Sequence, residues 1–157
     1  MGDMHSAGRR IRVAVVVARF NDFVTERLLT GAQQALREAG VAERDVTVVR
    51  VPGAYEIPMA AQRAAETDRF DAVVCLGCLI RGATPHFEYI ASAVAHGLQT
   101  VASHTGVPLS FGVLTTNSAE EALERSVDGP TNKGYEAAMA ALDMAAVYRS
   151  LSDGEPT

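Results

Sequence analysis

Apolar residues along this chain gather in four short runs, separated by longer stretches in which they recur every third or fourth position. The first run, IRVAVVVARF (Ile11 to Phe20), is too apolar to leave either face in water and predicts a strand inside a parallel sheet. Behind it, VTERLLTGAQQALREAG sets Leu28, Ala32, Ala35, Leu36 and Ala39 at helical spacing and closes on Gly40, a suitable C-cap. The alternation then repeats. DVTVVRV predicts a strand and YEIPMAAQRAAETD a helix; DAVVCLGCLI predicts a strand, followed by a long helix from Thr84 to His104. LSFGVLTT predicts a fourth strand, and two helices follow, Ala119 to Ser126 and Lys133 to Ser150. Strands alternating with helices in this way predict an α/β sandwich, because each parallel link needs a crossover of about a dozen residues or more.

Nothing interrupts the pattern, so residues 11–151 read as one domain, flanked by a disordered polar tail at 1–10 and a second tail at 152–157. The last helix carries alanine or another apolar group on nearly every side. That suits helix packing across subunits, and it equally suits an alanine-rich helix of high intrinsic propensity.

Composition narrows the partners. With 48% apolar residues, 21% charged residues and a net charge of -5, the chain is expected to fold and offers no basic face for nucleic acid or for a membrane surface. The run VAVVVA is too short to span a bilayer, which points to a cytoplasmic protein. The opening MGDMHS matches an acylation pattern in form, but so short a pattern carries little weight.

Cys75 and Cys78 spell C-x-x-C, yet inside a strand that spacing turns them to opposite faces about 10 Å apart, too far for a disulfide. His86 and His96 lie about 15 Å apart along one helix, beyond shared metal coordination. There is no P-loop and no glycine-rich dinucleotide turn. No metal or organic cofactor is expected.

In open parallel sheets, ligands sit beyond the carboxyl ends of the strands, where loops and helix N-termini converge. The four loops there are RFND, PGAYE, IRGATPHF and TTNS. In the third, Gly82 would allow a backbone conformation other residues resist, and Ala83 and Thr84 would open a helix whose free N–H groups favour an anion. Thr84 also reads as a plain N-cap with Pro85 at the first helical position. His86, in the first turn, is the best acid or base candidate, although a histidine at a helix start is commonly structural. Phe20 can lie over a flat heterocycle or enter the core. Glu56 can accept from sugar hydroxyls or complement a helix dipole. Arg125 and Lys133 read as surface charges on spacing alone.

Taken together, ARFND, VPGAYEIP, LGCLIRGATPHFEYI, FGVLTTN and NKG occur in an order and spacing that resemble the 6,7-dimethyl-8-ribityllumazine synthases, over about Arg12 to Leu151. The resemblance implies a flavodoxin-like αβα sandwich with a four-stranded parallel sheet in the order 2-1-3-4. It further implies a homopentamer with active sites between subunits, in some members a 60-subunit icosahedral capsid, and an association with riboflavin synthase. The implied reaction condenses 5-amino-6-(D-ribitylamino)uracil with (2S)-2-hydroxy-3-oxobutyl phosphate, releasing phosphate and water, as the penultimate step of riboflavin biosynthesis and without a cofactor.

Carried over by the same resemblance, Phe20 stacks on the pyrimidine, and Ala54, Tyr55 and Glu56 meet the ribityl chain and ring edge. Cys78, Leu79 and Ile80 line the pyrimidine pocket. Ala83 and Thr84 receive the phosphate, and His86 transfers protons. Phe111, Arg125 and Lys133 come from the neighbouring subunit, with Arg125 on the phosphate. Two departures stand out: Tyr55 replaces a common phenylalanine, and SVDGPTN carries Pro130 where shell-forming members have a glycine-rich linker. Its short length still favours a closed shell.

Overall fold

The computed structural model describes residues 10–154. Within them the four apolar runs become β1 (Val13–Ala18), β2 (Val46–Val51), β3 (Ala72–Ile80) and β4 (Leu109–Thr116), all parallel, in the order β2-β1-β3-β4. Between and after them run α1 (Asp22–Glu38), α2 (Ile57–Glu66), α3 (His86–Thr105), α4 (Ala119–Glu124) and α5 (Lys133–Asp153). This is the α/β sandwich, with the strand order, that the sequence and its resemblance led us to expect.

The unbroken apolarity of β1 has a direct cause. All six of its residues are buried because helices cover both faces of the sheet. Val13, Val15 and Val17 pack with Leu28, Leu36 and Leu142 beneath α1 and α5, whereas Ala14, Val16 and Ala18 pack with Ile57, Ala61, Val94 and Leu98 beneath α2 and α3. The same alternation sends Cys78 to the α1/α5 side and Cys75 to the α2/α3 side, so the C-x-x-C pair is two free, buried thiols on opposite faces.

Helix ends follow local chemistry. Past α1, Gly40 takes φ 89°, and the bonds Gly40 N–H to Arg37 O and Val41 N–H to Leu36 O close a Schellman turn, with Val41 and Leu36 both in the core. The segment Ala54–Glu56 is a 3-10 turn, so α2 begins two residues later than the periodicity predicts. In the other direction, α5 continues to Asp153 and is capped by Gly154 at φ 75°, running into the stretch read as a C-terminal tail. The tail residues 1–9, with the acylation pattern, and 155–157 lie outside the described residues.

The apolar circumference of α5 is largely satisfied inside the same chain. Gly134 lies so close to α1 that an added Cβ would sit 2.0 Å from the Leu28 carbonyl oxygen, and Ala137, Ala138, Ala141, Leu142 and Ala145 continue the buried stripe. Small residues let the two helices meet. Packing across subunits is therefore not what covers this stripe.

Candidate active site

Three loops at the carboxyl edge of the sheet are tied to one another. The N–H groups of Arg19 and Phe20 donate to Val51 O (2.8 Å) and Pro52 O (3.0 Å), continuing the β1–β2 ladder past both strands. Asn21 adopts a left-handed conformation (φ 63°, ψ 44°), which asparagine tolerates better than most residues, and its Nδ2 donates to Cys78 O at 2.9 Å. Phe20 is thereby held beside the VPGAYE loop, 69% exposed as a residue. A Cβ placed on Gly53 would lie 3.3 Å from Glu56 Oε1 and 4.0 Å from Phe20 Cβ, so these two side chains flank the same glycine. Ala54 is buried, Tyr55 stands exposed next to it, and Cys78, Leu79 and Ile80 end β3 at the same edge.

The IRGATPHF loop differs from the sequence reading in two respects. Gly82 does not adopt a positive φ, and a Cβ there would meet nothing within 4 Å, so its backbone demands no glycine. Helix α3 starts at His86, with Pro85 in the cap position; Ala83 and Thr84 precede the helix instead of opening it. Proline disfavours the helical region for the residue before it, which keeps Thr84 out of the helix. Thr84 still touches the helix start, since His86 N–H donates to its Oγ1 at 3.4 Å. All of Gly82, Ala83, Thr84, Pro85 and His86 are exposed.

Arg125 and Lys133, distant from these loops in sequence, are neighbours in space. Lys133 N–H donates to Arg125 O at 2.9 Å, closing SVDGPTN into a loop. The clamp is Asn132, which is 1% exposed. Its Oδ1 accepts from Gly134 N–H (2.7 Å) and Tyr135 N–H (3.1 Å), while its Nδ2 donates to Arg27 O (3.2 Å) and Ser126 O (3.0 Å). One buried amide thus joins α1, the end of α4 and the start of α5. Arg125 Nη1 donates to Glu121 Oε1 at 3.0 Å and Lys133 Nζ to Glu136 Oε1 at 3.1 Å, both at half-exposed positions.

Arg81 links the two regions. Its N–H donates to Thr116 O (2.8 Å), its Nε donates to Asn117 Oδ1 (3.0 Å), its guanidinium pairs with Glu88 (3.5 Å), and it lies 4.7 Å over the Phe87 ring. The sequence reading passed over Asn21, Arg81, Asn117 and Glu121. The signal for Asn21 was asparagine at a strand-to-helix turn, and for Glu121 the S-x-x-E of Ser118–Glu121.

Phe111 does not join this group within one chain. It pairs with Cys75 in the β3–β4 register, whereas the level of Cys78 is reached at Leu114, so the half-exposed Phe111 ring lies well below the edge. A hollow of about 530 Å³ lies at the opposite edge, lined by Arg10, Arg12, Phe70, Asp71, Tyr148 and Arg149. Within it Arg149 pairs with Asp71, while Arg10 pairs with Asp45 outside its lining, and it lies away from the loops above. Among the described residues no cluster of His, Cys, Asp or Glu is gathered to hold a metal, and no helix is long and apolar enough to cross a membrane.

Residues 10–149 match the sequence profile of the family described as 6,7-dimethyl-8-ribityllumazine synthase. A 6,7-dimethyl-8-ribityllumazine synthase from Syntrophus aciditrophicus (strain SB) is 48% identical over 141 residues, covering 90% of this chain and 92% of that protein. With nearly the whole chain matched and the strand order in agreement, the chain belongs to the lumazine synthase family, enzymes of riboflavin biosynthesis.

Proposed function

We propose that the chain catalyses the penultimate step of riboflavin biosynthesis, condensing 5-amino-6-(D-ribitylamino)uracil with (2S)-2-hydroxy-3-oxobutyl phosphate to 6,7-dimethyl-8-(D-ribityl)lumazine, phosphate and water. The supporting observation is the convergence of Phe20, Ala54–Glu56 and Cys78–Ile80 at one tied edge of the sheet in a chain of this family. Phe20 offers a flat apolar wall for the pyrimidine. Ala54, Tyr55, Glu56 and the end of β3 meet its edge and the ribityl hydroxyls, with the Glu56 carboxylate as acceptor. Ala83 and Thr84 receive the phosphate beside the start of α3.

His86 moves protons. Imine formation, phosphate loss and ring closure each transfer one, and an imidazole next to the leaving phosphate serves all of them. Arg125 carries charge-assisted donors to the phosphate dianion, with Lys133 adding positive charge nearby. The larger share of the acceleration comes from holding two substrates in register, which makes a bimolecular condensation effectively unimolecular.

Phe111, Arg125 and Lys133 reach the site from a neighbouring subunit of a homopentamer in this reading. Its support is the apolar surface left uncovered on one chain, with Tyr55 57%, Met59 55% and Tyr89 71% exposed, and a helix α3 that carries one charged residue, Glu88, in its 20 positions. Further closure into a 60-subunit shell, association with riboflavin synthase and a cytoplasmic location belong to the same proposal.

The test mixes the purified protein with both substrates and follows lumazine absorbance and fluorescence against the uncatalysed rate. No acceleration would leave only a binding shell. Arg125→Ala is expected to raise KM for the phosphate substrate, and His86→Ala to lower kcat; equal effects on both parameters in both variants contradict the assignment.

A further inference from the structure

Four residues form a relay from the β3–α3 loop to Arg125, three through side chains alone and Asn117 through both its side chain and its main-chain N–H. Arg81 Nε donates to Asn117 Oδ1 at 3.0 Å, Asn117 N–H donates to Glu121 Oε1 at 3.1 Å, and Arg125 Nη1 donates to that same oxygen at 3.0 Å. Glu121 is also the third residue of α4, and its own N–H donates to Ser118 Oγ at 3.1 Å. This is a capping box displaced by one residue, because the acid reaches back to the N–H of Asn117 instead of the cap residue itself.

An ordinary exposed ion pair four residues apart on a helix fixes little, since both side chains exchange the contact for water. Here the acceptor is different. Its oxygen is held from the other side by a main-chain N–H, so Arg125 bonds to a post and not to a free-swinging carboxylate. The Glu121 carboxyl lies below its ordinary range, first through Asn117 N–H and then through Arg125. One guanidinium N–H is committed to the post, while a planar fork with further donors remains 44% exposed.

We propose that Glu121 is a positioning residue for Arg125: anchored by the Asn117 main chain, it sets the direction from which the guanidinium meets the substrate phosphate. This rests on the phosphate role proposed for Arg125 above. Direct electrostatics oppose the effect, because a carboxylate near a phosphate repels it. Removing Glu121 therefore weakens phosphate binding if the residue positions Arg125, and strengthens it if Glu121 is merely a nearby charge.

Steady-state kinetics on the full chain separate the two. Glu121→Ala is expected to raise KM for the phosphate substrate about threefold to tenfold, the loss expected for one charge-assisted hydrogen bond's worth of orientation. The same variant should hold kcat within about twofold and leave KM for the pyrimidine unchanged. Glu121→Gln keeps an oxygen for both donors and should restore KM nearly to the parent value. Ser118→Ala removes the helix cap without touching the ion pair; it should lower Tm and leave KM alone. An unchanged or lowered phosphate KM in Glu121→Ala overturns the proposal, as does an equal rise in Ser118→Ala. Should Glu121→Ala not fold, Glu121→Asp keeps the acid at the helix start but withdraws its reach; the same rise is expected, and an unchanged KM overturns the proposal. Arg125→Ala run in parallel distinguishes the two levels. A KM rise there without one in the Glu121 variants defeats the positioning role alone, and no rise in either defeats the phosphate role of Arg125.

Discussion

Among individual residues, the two cysteines state most plainly what burial does to chemistry. Removed from water, the Cys75 thiol is pushed up to about 12 and the Cys78 thiol to about 11, both by desolvation, from an ordinary 9.0. Both therefore stay protonated at neutral pH and are poor nucleophiles. Iodoacetamide at pH 7.5 should leave both unmodified in the folded protein and label both rapidly once it is unfolded, as mass spectrometry would report. Labelling of either at a free-thiol rate in the native state contradicts the burial. The linkage has a definite sign: a raised folded pKa contributes stability below pH 9.0 that is lost as pH rises toward the folded values.

At the level of elements, two glycines that look alike in sequence part company. Gly40 holds φ 89° in the Schellman turn after α1, while Gly82 holds no positive φ and has open space around it. Gly40→Ala should cost about 1 kcal/mol in denaturant unfolding, and Gly82→Ala should stay within about 0.5 kcal/mol. A reversed order would mean that the two loops are misassigned. The contrast also shows what a sequence reveals at this scale. Strands β1 and β3 were legible because burial on both faces leaves an unbroken apolar run, while the edge strand β4 showed only a short β-prone stretch. Helix starts at Ile57 and His86 were displaced by two residues, because a 3-10 turn and a proline decide them locally. The approach of Arg125 to Lys133 was not legible from spacing. It depends on Asn132, one of whose partners, Arg27 O, lies 105 positions earlier. The proposed site residues could be assigned only as a set, since Phe20, Glu56 and His86 each kept a bland alternative when read singly.

For the whole molecule, the proposed shared site assigns Phe111, which lies below the sheet edge, to a different copy from the loops at that edge. If His86 acts from one subunit and Arg125 from the next, two impaired variants, assayed at a phosphate-substrate concentration below the raised KM of Arg125→Ala, should complement each other. Refolding His86→Ala with Arg125→Ala in equal amounts should restore activity to about one quarter of the sites, those whose two contributors are both intact. Activity no greater than that of the separate variants would place both residues in one subunit's site. Sedimentation of a monomer would exclude the shared site altogether.

Because Arg19 and Phe20 continue the β1–β2 ladder beyond its strands, the wall proposed for a flat ligand is a prolongation of the sheet and inherits its backbone stiffness. A molecule settling against Phe20 surrenders its own freedom of motion but demands almost no ordering of the protein in return. In such a place, affinity tracks the fit of the ligand and not the cost of folding a loop around it.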